Sequence, residues 1–177
     1  VQAMVTSADR RMLSKLRVLV VDDQDMLALL VPFLQDIDVR NIYRATDGVA
    51  AIEQMNTVRP GVQMVICDWD IPKRNGLDVL KHVRRNFVDI PFVMLAGQVT
   101  AEALAAAQSE GVTAYLAKPF NVVTLQERVI AAARAQYDPK PQQTDTRPGG
   151  AGALDVESLD EGSEGEGAEK ADDSWEI

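Results

Sequence analysis

Four carboxylates and one lysine stand where apolar runs of the chain break off. Asp22 and Asp23 follow RVLVV (17–21), Asp68 follows QMVIC (63–67) with Asp70 two residues further on, and Lys118 follows AYLA (114–117). An aspartate at such a point commonly caps a helix, and each of these acids taken alone reads that way. Gathered in one place they would be chemistry. Carboxylates packed a few ångströms apart repel, and one is driven to take a proton unless a cation neutralises them. Hard oxygen ligands with room for water suit Mg²⁺ better than zinc, and one Cys and one His are too few for a soft-metal site. A divalent cation beside a carboxylate and a lysine is a setting for phosphoryl transfer. The carboxylate attacks phosphorus while the two positive charges stabilise its equatorial oxygens.

Those residues meet only if the intervening elements bring them together. Five short aliphatic runs, at 17–21, 41–45, 63–67, 92–96 and 114–117, alternate with helix-like segments at 25–37, 48–56, 76–86, 101–110 and 122–137. The first, third and fourth runs are apolar on consecutive residues, as central strands covered by helices on both faces are. In the third helical segment Leu77, Leu80 and Val83 form one apolar stripe. Thr100 reads as the N-cap of the fourth segment and Gly111 as its C-terminal stop. Strict alternation of this kind predicts a doubly wound α/β fold. Functional groups in such a sheet gather at the carboxyl ends of the strands. Asp22, Asp23, Asp68 and Lys118 then share one edge, provided strands 1, 3 and 5 lie close.

The net charge of -9 belongs to one part of the 177-residue chain. Residues 1–137 hold 15 acids and 15 bases, whereas residues 138–177 hold 12 acids and 3 bases. Three regions follow: an N-terminal arm (1–14), a globular domain (15–137), and an acidic tail (138–177) too poor in apolar residues to fold alone and expected to be disordered. Residues 1–3 are read as an addition ahead of a natural start at Met4. The tail ends in DDSWEI, an aromatic and an aliphatic residue in an acidic setting. A lone Cys67 suits a reducing compartment. No run is long enough to span a membrane and no secretory signal opens the chain, so a cytoplasmic protein without membrane insertion is expected. The basic pairs Lys73-Arg74 and Arg84-Arg85 are too few for a nucleic-acid footprint, and no DNA binding is expected.

The stretches VLVVDDQ (18–24), ATDGVAAIEQM (45–55), VICDWDIPKRNGLDVLKHVR (65–84), GVTAYLAKPF (111–120) and VTLQERV (123–129) resemble the receiver domains of two-component response regulators. The likeness covers about residues 15–137 and is nearest to the stand-alone chemotaxis type. It implies a flavodoxin-like, five-stranded parallel sheet in the order 2-1-3-4-5. It also implies that Asp68 accepts a phosphoryl group from a histidine kinase or phosphotransfer protein, and that the protein signals rather than turning over a substrate. Asp23 and Asp68 would bind Mg²⁺ directly, Asp22 through a water, and Asp70 through its main-chain carbonyl. Lys118 would contact the phosphoryl group, with Pro119 after a cis peptide bond, and Tyr115 would be the aromatic switch.

One position departs from the family pattern. The resemblance calls for Ser or Thr after the fourth strand, and the spacing from Lys118 puts Ala96 there. A methyl group donates no hydrogen bond, so phosphate capture looks intact while its coupling to Tyr115 does not. This favours either partner binding with atypical switching or a phosphate sink. The target protein, left unidentified, would dock on the face of the fourth helix, fifth strand and fifth helix, or on the tail. Gly97 fits the small residue that leaves Asp68 accessible, and Thr100 is a cap rather than a replacement donor. The Asp70 side chain is expected to tune the lifetime of the acyl phosphate. Two alternatives have their own residues: Asp68-Trp69-Asp70 has the D-x-D form of a haloacid-dehalogenase-type hydrolase, and DDSWEI has the form of a docking peptide. His82 is expected on or near the exposed face of its helix, Trp69 partly exposed beside the site, and Cys67 buried.

Overall fold

The computed structural model describes residues 4–87 and 89–138. Residues 1–3 and the acidic segment beyond Asp138, with its DDSWEI end, lie outside the described residues. Five strands, β1 (Arg17–Val21), β2 (Asn41–Ala45), β3 (Met64–Asp68), β4 (Phe92–Ala96) and β5 (Ala114–Ala117), form one parallel sheet ordered β2-β1-β3-β4-β5. The helices are α1 (Ser7–Leu13), α2 (Gln24–Gln35), α3 (Gly48–Thr57), α4 (Gly76–Asn86), α5 (Ala101–Ser109) and α6 (Val122–Tyr137). No described helix is long and apolar enough to cross a membrane.

Period-two alternation sorts the central strands into two cores. Val18, Val20, Met64, Ile66, Val93 and Leu95 face α1, α2 and α6. Leu19, Val21, Val65, Cys67, Phe92 and Met94 face α3, α4 and α5. Every residue of β3 and β4 is buried, which is why both runs lack polar alternation. The edge strands β2 and β5 keep half-buried and exposed positions. Cys67 is buried, as expected, and burial followed by the charge of Asp68 pushes its thiol pKa up. In α4 the buried stripe is Val79, Leu80 and Val83, with Leu77 half-buried at its margin.

Helices α2 to α6 each begin at a side-chain cap just beyond a strand: Asp23, Asp47, Asn75, Thr100 and Asn121 accept from Met26, Ala50, Asp78, Ala103 and Thr124 N–H groups. Thr100 is thus the cap the sequence suggests, and Gly111, at φ 82°, follows the end of α5.

Residues 4–14 contribute more than an arm. The hydroxyl of Thr6 and the carboxylate of Asp9 make a reciprocal capping box at the start of α1. Leu13 and Leu16 are buried in the α2–α6 core, each worth about 2 kcal/mol of apolar burial. Arg134 of α6 clasps Asp9 with two hydrogen bonds of 2.6 Å. The Arg134 guanidinium holds the Asp9 carboxyl well below its ordinary range despite burial. Arg10 reaches the end of α2 at the Asp36 carbonyl, 3.0 Å away.

Candidate functional site

Strand pairing creates the site. The β1–β3 register pairs Val21 with Cys67, so Asp22 and Asp68 stand side by side one step further along. Strand β4 separates β3 from β5, and Lys118 extends back across that width. Its main-chain N–H donates to the Ala96 carbonyl at 2.7 Å, and the Lys118–Pro119 peptide bond is cis. Its Nζ lies 3.0 Å from Asp22 Oδ2, as a hydrogen bond, and 3.0 Å from Asp68 Oδ1.

Asp22 is fully buried and Asp68 is 6% exposed. Burial raises the Asp22 pKa; Lys118 opposes this and the Asp68 charge adds to it, and the net shift is upward. Burial works against the Lys118 ammonium, but its bonds and attraction to Asp22 and Asp68 outweigh that and hold its pKa above the ordinary value. Two buried carboxylates therefore share one cation. Asp68 Oδ1 has no polar neighbour among the described residues beyond the Lys118 ammonium 3.0 Å away.

That oxygen, in a pocket where two carboxylates share one ammonium, fits a hard divalent cation by donor type. Asp23 stands exposed at the rim with Oδ1 already capping α2. Among the described residues no three His, Cys, Asp or Glu side chains stand ready to hold a metal ion by themselves. Water and main-chain carbonyls, such as that of Asp70, would have to complete an octahedral set.

The loop after β3 is held closely. Trp69 N–H donates to the Leu95 carbonyl at 2.7 Å, and Gly76 N–H donates to the Trp69 carbonyl at 2.9 Å. A Cβ on Gly76 would collide with the Asp68 carbonyl, which explains the glycine there. Further along, Gly48 N–H donates to the Pro72 carbonyl at 3.2 Å and Lys73 pairs with Asp47 at 2.7 Å. Asp70 is exposed and Trp69 half-buried beside the site.

The remaining sequence candidates fall into place without joining the acidic pocket. Ala96 is fully buried at the end of β4, and a Cβ on Gly97 would meet open space. Thr100 uses its hydroxyl to cap α5. Tyr115 is half-buried against the α3–α5 core. His82 is half-buried at the surface, with Nε2 3.1 Å from Asn56 Oδ1. Arg84, of the basic pair Arg84-Arg85, bonds the Gly111 and Ile90 carbonyls at 2.9 and 2.8 Å. Sequence reading missed α1 and its Asp9–Arg134 clasp; the T-x-x-D spacing of Thr6 and Asp9 was the available signal.

A family model described as the response regulator receiver domain matches residues 18–130. Chemotaxis protein CheY-3 of Vibrio cholerae is 29% identical over 117 residues, covering 64% of this chain and 88% of that protein. Chemotaxis protein CheY1 of Helicobacter pylori is 30% identical over 117 residues, covering 64% and 94%. Among solved structures, Vibrio cholerae chemotaxis protein CheY4 aligns with a TM-score of 0.60 at 27% identity, over 66% of this chain and 98% of that one. The receiver domain of Francisella response regulator 1452 aligns with a TM-score of 0.59 at 26% identity, over 68% and 98%.

Proposed function

The chain belongs to the response regulator receiver domain family, and on that premise we propose that Asp68 accepts a phosphoryl group from a histidine kinase or phosphotransfer protein. The observation that carries the reading is the buried Asp22–Lys118–Asp68 arrangement, in which two carboxylates share one ammonium. An Asp68 oxygen attacks the phosphorus of a phosphohistidine. An O–P bond forms as the N–P bond breaks, and the imidazole nitrogen keeps that electron pair and takes up a proton. Lys118 turns from the carboxylate to a phosphoryl oxygen and offsets its charge. Asp22 and Asp68, with Asp23 at the rim and the Asp70 carbonyl, would hold Mg²⁺, which supplies positive charge at the phosphoryl oxygens.

The protein acts as a chemotaxis-type signalling component in the cytoplasm and not as a turnover enzyme. With Ala96 in place of a hydroxyl, no donor at that position links a phosphoryl group to Tyr115. Output then takes one of two forms, binding a target through the α5–β5–α6 face with altered switching, or draining phosphoryl groups from a kinase. The exposed Asp70 carboxylate stands near the path of a hydrolytic water and changes acyl-phosphate lifetime; equal hydrolysis rates for wild type and Asp70→Asn would contradict this. Acetyl phosphate with Mg²⁺ tests the main reading. Trp69 fluorescence, followed in a Trp175→Phe background, should change in the protein with Asp68 and stay constant in Asp68→Ala.

A further inference from the structure

On the far side of α4 from the sheet, a cleft of about 580 Å³ opens between α3 and α4. Val49, 46% exposed, and Ile52 supply its apolar lining. Arg74, Lys81 and Arg85 supply positive charge. None of these three side chains makes an ion pair or hydrogen bond among the described residues. Asp78 is the one acid in the lining, which leaves two cations in excess. His82, also in the lining, adds no charge near neutral pH: burial first, then the charges of Arg74 and Arg85, lower its pKa. The loop that carries Arg74 is fixed by the Lys73–Asp47 pair and the Gly48–Pro72 bond. A Cβ on Gly48 would strike the Arg74 carbonyl, so the glycine permits this close approach.

We propose that the α3–α4 cleft is a docking site for an acidic segment of a partner protein, with an apolar side chain of that segment seated on Val49 and Ile52. The placement of the cations favours this ligand over others. Lys81 and Arg85 lie one turn, about 6 Å, apart along α4, and Arg74 enters from the loop before the helix, so the three charges line the cleft from separate points of the backbone. A single phosphate needs convergent donors. Nucleic acid needs a broader basic surface than three side chains on a domain whose charges balance. Several spaced carboxylates around an apolar anchor match this lining. The site is separate from Asp68 and does not depend on its chemistry.

The test is an NMR titration of the ¹⁵N-labelled full chain with a Glu-rich dodecapeptide carrying one central leucine. Amide shifts should concentrate in residues 48–52 and 74–85. Affinity should drop about tenfold or more in Lys81→Glu/Arg85→Glu and stay unchanged in Arg128→Glu, a charge reversal on α6. The double variant should bind a Lys-rich counterpart peptide in place of the acidic one, which shows that it has folded. Serine in place of the peptide's leucine should weaken binding several-fold. Shifts that are absent or fall elsewhere would overturn the proposal. So would tighter binding of tripolyphosphate or a single-stranded oligonucleotide at the same residues, or a double variant that binds the acidic peptide as the wild type does.

Discussion

Replacing Lys118 by methionine keeps the side-chain length and removes its charge, leaving Asp22 and Asp68 facing each other without a cation. In the wild-type protein the ammonium lies 3.0 Å from each carboxylate. At an effective interior dielectric near 20, each contact represents about 5 kcal/mol of attraction. Desolvation of the ammonium cancels several kcal/mol of this, and the partial exposure of Lys118, 22%, screens more. The expected net loss at neutral pH is about 3 kcal/mol, typical of removing one partner from a buried pair. The sign of its pH dependence follows from Asp22, whose folded pKa already lies above the ordinary 3.8 and rises further without Lys118. Stability linked to a raised pKa is fully present below the unfolded value and is lost as pH rises through the folded one. The deficit of Lys118→Met should therefore shrink as the pH is lowered from neutral towards 3.8. Urea unfolding followed by circular dichroism measures both. A variant as stable as the wild type at neutral pH, or with equal deficits at both ends of that range, would refute the electrostatic reasoning.

Asp9→Asn should cost about 1–2 kcal/mol at neutral pH, since the bidentate clasp is strong but Arg134 is 43% exposed. Asp9 has a lowered pKa, so its contribution is present above 3.8 and lost as pH falls, and the gap to wild type should close in acid. Gly76→Ala should destabilise by about 1–3 kcal/mol and shift Trp69 emission, because the new methyl meets the Asp68 carbonyl and, at 2.9 Å, the Met94 sulfur. Ala96→Thr places a hydroxyl at the end of β4 and costs about 1 kcal/mol of packing in a fully buried position. Phosphodonor-dependent NMR shifts at Tyr115 should be larger in that variant than in the wild type.

The sheet was legible because Val18–Val21, Val65–Cys67 and Val93–Leu95 are short uninterrupted apolar runs alternating with helical segments, as doubly covered strands are. Asp22, Asp68 and Lys118 were legible for a related reason: the strands that carry them end abruptly in charge, and parallel topology gathers strand ends. Contacts that join distant residues through neither strand pairing nor periodicity were not legible. Asp9 and Arg134 are 125 positions apart, and a seven-residue helix shows too little of the helical period to declare itself. Arg84 and Arg85 are adjacent and chemically alike. Helical geometry turns one toward the Gly111 and Ile90 carbonyls and the other into the α3–α4 cleft. The contact of His82 with Asn56 was hidden for the same reason, since Asn56 is on a different helix.

The central claim is that Asp68 takes a phosphoryl group. Its most direct test is intact-mass spectrometry of the full chain after exposure to acetyl phosphate and Mg²⁺, followed by borohydride reduction and peptide mapping. A single phosphoryl adduct should form, and the reduced residue should map to Asp68 and vanish in Asp68→Ala. No adduct, or one that maps elsewhere or persists in Asp68→Ala, would contradict the account.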